Sequence, residues 1–578
     1  MKRLLTLFVA LALFATACGG GTNDDTAVEA DAPASESVDT GDGNDETTAD
    51  DGAMDDEEPT GDTVEVIEED LGEDPVAGGT LRYGLEADVD GINPVTSALP
   101  AAGLMMSNAV FDPLAVFDEN DQWQPYLAES FVPSDDFTQW TVTLREGITF
   151  HDGTPLDAEA VRFNFETQLA DPLVGLAVAP FYPDEGAVEI IDDLTLRYTL
   201  LFANANWPSS VTGQLGFVAS PAWVMASLED GTLNQAPVGT GPFMFDSRSE
   251  DSVTRFVRND NWWGGEVFLD AIEFVPVPDP NTRNELFFNG DLQALQTTNQ
   301  ENIFDLREDD TVQNVLDDSG EEFFVMLNSS KGPFDDIRAR QALAFATPRQ
   351  NFLDLIGLGL SQPADQMFTP SSPFYVPDVQ QAADDPDQAG PLVESYCGDV
   401  PDRCTDGRID MELQWSGPSV VQTRIAELLD QGWNDFFNVT FQELPQDTHI
   451  QETAFGLYDA VTWRQFGAVN PGDDQVWLTC LTIGGLSLNW PRFCDEERDE
   501  LLADLQLATT VEERQPILEE LVRKINEDAL YIFMNHTTWD NAYAENIRGV
   551  CAHTAPGGET VRCSTNGRTF HHNVWIAE

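Results

Sequence analysis

An α/β or α+β body of two or more lobes is the fold class that the sequence predicts. Short runs with alternating apolar residues, typical of strands, are mixed with longer runs whose apolar residues recur every three or four positions, typical of helices. The length of 578 residues is too great for one ordinary hydrophobic core, and it predicts about three or four structural units.

The predicted elements follow one another from residue 78 onward. GGTLRYGL at 78–85 predicts the first strand, because Leu81, Tyr83 and Leu85 alternate with smaller or polar residues. The other predicted strands are WTVTLREGITF (140–150), LTLRYTLLF (194–202), SVTRFVRND (252–260), AIEFVPVP (271–278) and EEFFVMLN (321–328). The helical patterns are AEAVRFNFETQL (158–169), DDIRARQALAFAT (335–347), VVQTRIAELLDQGWNDFF (420–437) and ERDELLADLQLATTVEERQPILEELVRKINEDA (497–529).

The charge of the chain is strongly negative. It has 103 acidic residues against 27 lysines and arginines, and its formal net charge is -76. Such a surface repels polyanions, so the composition excludes a nucleic-acid partner.

Residues 1–17 have the pattern of an export signal. Two basic residues precede an apolar run at 4–15 that is short for a membrane span, and small residues follow it. The ending ATAC resembles a bacterial lipobox, which predicts cleavage before Cys18 and lipidation of that cysteine. The alternative is ordinary cleavage at Ala15-Thr16-Ala17, which would leave Cys18 free.

Residues 18–77 form an acidic linker in this interpretation. The segment contains no lysine or arginine and almost no large apolar side chains. It cannot bury enough apolar surface to offset its ordering entropy, so we expect it to be disordered.

Six further cysteines follow Cys18 in a chain that we expect to be exported, and disulfides persist outside the cytoplasm. They permit fifteen connectivities, but they fall into three close pairs, and we predict disulfides within those pairs. A zinc cluster is the alternative, although no pair has C-x-x-C spacing. The predicted pairs are Cys397–Cys404, Cys480–Cys494 and Cys551–Cys563.

The stretch LREGITFHDGTPLDAEAV at 144–161 places a histidine beside an aspartate, as a catalytic or metal-binding pair would. Asp152 also begins the strong turn sequence DGTP, and Asp157 is placed to cap a helix that begins at Ala158. Neither a nucleophile nor further metal ligands lie nearby. We therefore predict that His151 and Asp152 belong to the scaffold.

Other motifs of catalysis or metal binding are missing from the sequence. H-E-x-x-H, G-x-x-x-x-G-K and an EF-hand loop do not occur, and GGLSLN at 484–489 has Asn489 where a nucleophile elbow needs glycine. The pair His571-His572 is interpreted as a surface feature, with a metal site as the alternative. The sequence thus predicts no catalytic residue, no metal site and no cofactor.

Aromatic side chains favour a different kind of site, an aromatic-lined cleft. The chain has 13 tryptophans and 35 phenylalanines, most of which must be core. The candidates for ligand contact lie in predicted loops beside small or polar residues, and they are Trp415, Trp463, Phe466 and Trp490.

Several motifs, matched in order, resemble the family 5 extracellular solute-binding proteins, the peptide- and nickel-binding components of ABC importers. They include YLAESFVPSDDFTQWTVTLREGITFHDGTPLDAEAVRFNFE (126–166), PVGTGPFMFDSRSEDSVTRFVRNDNWWGG (237–265), FFVMLNSSKGPFDDIRARQALAFAT (323–347) and LYDAVTW (457–463). The resemblance covers effectively everything from residue 78 to the C-terminus.

The resemblance implies an α/β, two-lobe clamshell of the periplasmic-binding-protein type (type II, the large peptide-binding subclass) with an extra subdomain in lobe I. Lobe I would comprise residues 78–322 and a C-terminal return at 536–578, and lobe II would comprise residues 323–535. The ligand would select the closed state of the two lobes, and closure would change the surface that meets the permease.

The resemblance also implies where the ligand contacts lie. Apolar side chains would form walls and polar side chains would hydrogen-bond the ligand. Arg464 is a lesser candidate for binding an anionic group. The predicted contacts are Ser97 and Leu99 in lobe I and Trp415, Trp463, Gln465, Phe466 and Trp490 in lobe II.

Peptide-binding members of the family have a lobe II aspartate that pairs with the peptide α-ammonium. In this sequence Gly467, Ala468 or Val469 stands at that position, and Asp473 and Asp474 would substitute only if the loop bends back. Because a buried ammonium without a partner is costly, the departure weakens the peptide assignment more than the transport assignment. The nickel type is not favoured either, since the segment contains no histidine.

We therefore predict an extracytoplasmic lipoprotein, the substrate-binding subunit of an ABC importer. It would capture an oligopeptide or other peptide-like organic solute and deliver it to the permease subunits and their ATPases. A ligand-sensing lipoprotein for a membrane signalling partner is the alternative, and an enzyme is the third hypothesis.

Overall fold

The computed structural model describes residues 74–577 except residues 90 and 98. The predicted signal peptide, Cys18 and nearly all of the predicted linker lie outside these residues. Among the helices in the described part of the chain, none is both long enough and apolar enough to cross a membrane.

The described residues form 19 strands and 13 α-helices, joined by loops and short 3₁₀ helices. The strands are β1 (Thr80–Leu85), β2 (Ala115–Phe117), β3 (Trp123–Pro125), β4 (Ala128–Pro133), β5 (Gln139–Leu144), β6 (Val188–Asp192), β7 (Thr195–Thr199), β8 (Phe243–Ser249), β9 (Val253–Arg258), β10 (Ala271–Pro276), β11 (Ala294–Thr297), β12 (Val312–Leu327), β13 (Cys404–Thr405), β14 (Arg408–Gly417), β15 (Phe437–Pro445), β16 (Ala460–Gln465), β17 (Tyr531–Ala544), β18 (Ile547–Arg548) and β19 (Trp575–Ile576). The helices are α1 (Ala101–Val110), α2 (Ala158–Ala170), α3 (Pro221–Glu229), α4 (Pro280–Phe288), α5 (Gln300–Arg307), α6 (Ile337–Ala346), α7 (Arg349–Leu355), α8 (Pro386–Asp399), α9 (Val420–Trp433), α10 (Gln446–Phe455), α11 (Gln475–Leu478), α12 (Glu496–Leu507) and α13 (Val511–Asp528).

Each predicted run contains an element of the predicted type, although the boundaries differ, and in two cases the difference changes the description of the element. EEFFVMLN is only the second half of β12, whose first half lacks a clear apolar alternation. The last helical pattern is two helices, because Thr510 caps α13 and forms a capping box with Glu513. The predicted cap of α2 is confirmed: the backbone N–H of Ala160 donates to Asp157 Oδ1 at 2.9 Å.

One large sheet runs through the body in the order β13-β14-β16-β12-β17-β11-β1-β10-β9-β8, and β15 pairs with β14. Its centre is the antiparallel pair of β12 and β17, which runs from Val312↔Ala544 to Met326↔Tyr531 with two shifts of register on the way. The chain therefore crosses from one half of the body to the other along β12 and returns along β17.

The buried apolar residues form separate cores on the two sides of this crossing. One group of cores draws on residues 81–294 and 543–574. The other group draws on residues 323–534. We propose the limits given above for the two lobes, 78–322 with 536–578 for lobe I and 323–535 for lobe II, and use these names below.

The turn after β5 is held by backbone groups of a neighbouring loop. His151 Nε2 lies 2.9 Å from the carbonyl oxygen of Gly241, and the N–H of Gly239 donates to Nδ1 at 3.3 Å. Asp152 accepts a hydrogen bond from Ser220 Oγ at 2.5 Å. Both ring nitrogens of His151 and the Asp152 carboxylate thus hold the scaffold together, as predicted.

The three predicted disulfides are present in the structure, Cys397–Cys404, Cys480–Cys494 and Cys551–Cys563. The first two lie in lobe II and the third lies in the C-terminal return. Pairing of the nearest cysteines was the predicted connectivity.

The prediction that His571-His572 is a surface feature is wrong. The two side chains are only 1% and 3% exposed, because the C-terminal return folds into the core of lobe I. Burial lowers the pKa of each imidazole to about 3, so both rings are neutral at physiological pH. Among the described residues, no group of three histidine, cysteine, aspartate or glutamate side chains is arranged to hold a metal ion.

Candidate functional site

A cavity of about 950 Å³ lies between the two lobes. Lobe I lines it with parts of 177–182 and 200–215, lobe II with parts of 467–481 and 499–507, and the C-terminal return with 565–568. Its volume is within the range of about 300–1,000 Å³ that is common for small-molecule sites. The size of the cavity and its position between the lobes make it the candidate ligand site.

Aromatic side chains form a rigid wall on the lobe I side. Trp207 begins the 3₁₀ helix Trp207–Val211, which follows the loop after β7. Its indole Nε1 donates to Tyr182 Oη at 2.7 Å, and its ring lies 4.6 Å from the ring of Tyr198. Trp207 and Tyr182 both line the cavity, and their packing fixes this wall before a ligand arrives.

The loop after β16 turns back toward the cavity on the lobe II side. Phe466 and Gly467 have φ values of 70° and 79°, in the left-handed region, and they direct the chain away from the sheet. The 3₁₀ helix Pro471–Asp474 then returns, so that the N–H of Ala468 lies 3.4 Å from Asp474 Oδ2. The loop therefore bends back, which is the condition under which Asp473 or Asp474 could replace the missing aspartate.

The reversal places Asp473 in the same cavity wall as residues 467–469. Burial raises the pKa of Asp473 to about 6, although hydrogen bonding by Ser209 and Asn470 favours its charged form. Burial raises the pKa of Asp474 further, to about 8, and the charge of Asp473 adds to that shift. At pH 7 the cavity therefore presents an ionised Asp473, while Asp474 is mostly protonated.

Hydrogen bonds across the rim of the cavity join the two lobes. The N–H of Ala205 donates to the carbonyl oxygen of Gln506, and Asn206 Nδ2 donates to the carbonyl oxygen of Ala508, both at 2.9 Å. Arg514 Nη2 donates in turn to Asn206 Oδ1 at 2.8 Å. The two lobes thus meet directly at this rim.

Three of the predicted lobe II contacts lie one layer behind the cavity. Trp490 Nε1 donates to Gln465 Oε1 at 2.6 Å, and Trp463 packs against Trp490 with ring centroids 5.5 Å apart. Trp490 stacks on Trp477 with centroids 5.7 Å apart, and it is Trp477 that lines the cavity. The three residues support the wall through that stack.

The other predicted lobe II contacts are core residues. Phe466 packs against Phe324, and Trp415 packs edge-on against Phe441. The prediction that Trp415 and Trp463 lie in loops is wrong: they belong to β14 and β16, where alternate residues face the core.

Ser97 and Leu99 also lie behind the cavity lining. The carbonyl oxygen of Ser97 accepts a hydrogen bond from Gln214 Nε2 at 2.8 Å, and Leu99 packs near Gly103 in α1. Gln214 itself lines the cavity. In the cavity that the described residues form, none of the predicted contacts is part of the lining, and their direct contact with a ligand stays a prediction.

Sequence reasoning missed the residues that line the cavity, and Trp207 and Arg568 are two of them. Trp207 precedes proline in NANWPSS, and it appeared as one core tryptophan among many. Arg568 had a detectable signal, since each cation is notable in a chain with 27 lysines and arginines against 103 acids. Its position in the cavity depends on the return of the C-terminus to lobe I, which no local pattern shows.

A two-lobe α/β body with a cavity between its lobes is typical of the hinge-closing solute-binding proteins. The chain belongs to the bacterial extracellular solute-binding proteins, family 5, because the model of the middle region of that family matches residues 122–484. Both the family and the two-lobe fold that the motifs implied are thereby confirmed.

Relatives of the chain include binding proteins for different solutes. It is similar to the probable di/tripeptide-binding protein 5 of Pseudomonas aeruginosa (strain UCBPP-PA14), with 26% identity over 505 residues that cover 82% of this chain and 93% of that protein. It is also similar to the nickel-binding periplasmic protein of Escherichia coli (strain K12), with 26% identity over 470 residues, 76% of this chain and 86% of that protein.

A solved structure with the same fold is the ABC transporter-associated periplasmic binding protein DppA from Helicobacter pylori in complex with peptide STSA. The TM-score is 0.74 at 18% sequence identity, and the match covers 87% of this chain and 99% of that chain. This likeness establishes the fold.

Proposed function

We propose that the protein is the substrate-binding subunit of an ABC importer and that it captures a short peptide or peptide-like organic solute between its lobes. The observation that carries the proposal is the Asp473 side chain in the lining of the interlobe cavity. Gly467, Ala468 and Val469 have no charged side chain to pair with an α-ammonium, and Asp473 supplies that partner instead.

The electrostatics of the cavity favour an organic cation over a metal ion. The lining contains no histidine or cysteine among the described residues, and the carboxylate of Asp499 is occupied by the N–H of Cys480 at 3.1 Å. A metal ion would need several such ligands. An ammonium needs one ionised carboxylate and dry surroundings, which Asp473 and the aromatic walls offer.

The walls of the cavity suit a compact solute with apolar side chains. Trp207, Tyr182 and Trp477 present aromatic surface, and Leu200, Val469 and Val476 present aliphatic surface. Such surfaces bind side chains of varied shape by burial of apolar area, whereas Asp473 fixes orientation. The protein thus selects for a short backbone with an amino group and tolerates different side chains.

The proposal also includes anchoring to the membrane through a lipidated Cys18 and the linker of residues 18–77. An acylated N-terminus with more than one chain holds a protein stably at a membrane surface. The linker would let the binding body reach the permease of the importer while remaining anchored outside the cytoplasm.

A thermal-shift screen of the mature protein tests the proposed function. Di- to pentapeptides with free amino termini are expected to raise the unfolding temperature in a concentration-dependent way, because binding to the native state stabilises it by about 2.7 kcal/mol at 100 times Kd. The same peptides with acetylated amino termini serve as the matched control and should have little effect. Stabilisation by sugars or nickel salts, without any response to peptides, would contradict the proposal.

A further inference from the structure

Three of the six histidines of the chain lie in one short segment, and the proposed function does not use them. They are His553, His571 and His572, in residues 549–577, which follow β18 and are called the tail below. Their side chains are only 5%, 1% and 3% exposed. Residues of the tail between 565 and 568 also line the interlobe cavity. The attachment of the tail to lobe I therefore fixes part of the cavity wall.

Ring contacts place the three imidazoles against aromatic side chains of lobe I. The centroid of the His553 ring lies 3.8 Å from that of His572, which in turn lies 4.7 Å from Trp262. The ring of His571 lies 5.4 Å from that of Tyr83, with the two planes nearly perpendicular. The three histidines are thus among the side chains by which the tail packs into lobe I.

The three imidazoles lack the partners that would stabilise a positive charge. In the described part of the chain, neither ring nitrogen of His553 has a hydrogen-bond partner, and the same holds for Nδ1 of His571. By contrast, His536 of β17 has the carboxylate of Glu322 at 3.1 Å from its Nδ1. No such carboxylate favours the charged form of a histidine in the tail. Because a buried charge without a partner is costly, these rings fit their places only while they are neutral.

The titratable side chains that face the histidines do not supply negative charge in acid. Burial raises the pKa of the phenols of Tyr83 and Tyr126, so both remain neutral. Asp112 accepts a hydrogen bond from Trp262 Nε1 at 3.4 Å, and burial raises its pKa to about 6. Burial also raises the pKa of Asp540 well above its ordinary value. At pH 5 a protonated histidine therefore has no fully ionised carboxylate among these groups. The other titratable or charged groups beside them are Tyr543, Arg145 and Arg283.

We infer that the tail is an acid-sensitive latch of the interlobe cavity: protonation of His553, His571 and His572 releases the tail from lobe I and removes its part of the cavity wall. The inference rests on the proposed function only in assigning this cavity to the solute. The disulfide Cys551–Cys563 does not oppose the release, because both of its cysteines lie in the tail. A buried imidazole that gains a proton is more stable in water, so acid favours the released state.

The pH range of the release follows from the change in pKa between the bound and the released tail. Burial holds the pKa of His571 and His572 at about 3 and that of His553 well below its ordinary value, whereas a released imidazole returns to about 6.5. The bound tail is therefore most stable above pH 6.5 and loses stability as the pH falls. Each histidine raises the release constant by up to about tenfold per pH unit, and Asp112 offsets up to one such factor below pH 6. The net increase between pH 7 and pH 5 is about 1,000-fold.

Hydrogen–deuterium exchange of the mature protein without solute, followed by peptide mass spectrometry, tests the inference. After correction for intrinsic exchange rates, the release constant of the tail amides should rise about 1,000-fold from pH 7 to pH 5, while amides of β5 and β12 stay protected. The double variant His553→Phe/His572→Phe keeps ring packing and removes two titrating groups, so its increase should be less than about fivefold. His449→Phe is the matched control, because His449 is also a buried histidine but lies in α10 of lobe II, and it should keep the wild-type response.

An unchanged release constant of the tail between pH 7 and pH 5 in the wild-type protein would overturn the inference, and so would an equal acid response in the double variant. Exchange that rises in parallel in the tail and in β12 would also overturn it, because the body would then unfold as one unit. If the double variant does not fold, His553→Phe alone decides, and its increase should be about 50-fold. Since no solute is present, these results are independent of peptide binding, which the thermal-shift screen tests separately.

Discussion

Asp473→Asn is expected to weaken the binding of a solute with a free amino group about 100-fold at pH 7.5. Removing one partner of a buried charge pair typically costs about 2–5 kcal/mol, and each 1.4 kcal/mol is a factor of ten in Kd. The asparagine carbonyl still accepts a hydrogen bond, so the loss should lie in the lower half of that range. Isothermal titration with a tripeptide that binds the wild-type protein measures it.

Asp474→Asn is the matched control for this substitution. Asp474 is adjacent in sequence and also buried, but its pKa is raised to about 8, so it is mostly neutral at pH 7. Asparagine is a close neutral replacement and keeps an oxygen for the N–H of Ala468. Binding should change by no more than about threefold; equal losses in both variants would show that loop disruption, and not charge, is responsible.

The pH dependence of solute binding also distinguishes the wild-type protein from Asp473→Asn. The pKa of the empty Asp473 is about 6, above its ordinary value, and an ammonium favours the ionised form, so binding must expel a proton below that pH. The wild-type affinity should therefore be nearly constant between pH 7 and the pKa of the solute's α-amino group, about 8, and fall by up to about tenfold per unit below pH 6. The dependence should disappear in Asp473→Asn.

Trp433→Ala is expected to lower the free energy of unfolding by about 3–5 kcal/mol. Trp433 is 0% exposed at the end of α9, in the core of lobe II, and its Nε1 donates to Thr347 Oγ1 at 3.0 Å. Truncation leaves a large cavity and removes the hydrogen bond that Thr347 Oγ1 accepts, although the hydroxyl still donates to the carbonyl oxygen of Leu343. The surrounding helices can collapse only in part. Denaturant titration followed by circular dichroism measures the loss.

Val420→Ala on the same helix provides the comparison. Val420 is 75% exposed at the first position of α9, and a surface truncation of this kind should change the free energy of unfolding by less than about 0.5 kcal/mol. A loss below 1 kcal/mol for Trp433→Ala would contradict the packing described for this core.

Local structure could be predicted well because its causes are local. The alternation of Leu81, Tyr83 and Leu85, the cap at Asp157 and the close cysteine pairs each depend on residues within one short segment. The order of several motifs then indicated the family, and with it the two-lobe fold.

The lining of the cavity could not be predicted from such segments. Phe466 adopts a left-handed conformation that is uncommon for a non-glycine residue, and the loop beyond it reverses to bring Asp473 into the wall. Trp490, a predicted contact, is displaced from the cavity by the stacked ring of Trp477. These are outcomes of tertiary packing, and the spacing of residues carries no record of them.

The C-terminal return shows the same limit on a larger scale. The polar pair His571-His572 suggested a surface, and the position of Arg568 in the cavity could not be predicted, because their surroundings come from lobe I segments that are distant in sequence. Only the crossing of β12 and β17 places residues 565–572 beside that lobe. The periodicity of apolar residues predicts local elements and does not predict a contact between distant segments.

The position of a bound solute would show whether Asp473 binds its amino group. A crystal structure of the protein with a tripeptide that has free ends should show the peptide inside the interlobe cavity, with its ammonium within hydrogen-bonding distance of Asp473. A peptide bound outside this cavity, or one inside it whose ammonium contacts other groups while Asp473 remains bonded to Ser209 and Asn470, would contradict the account.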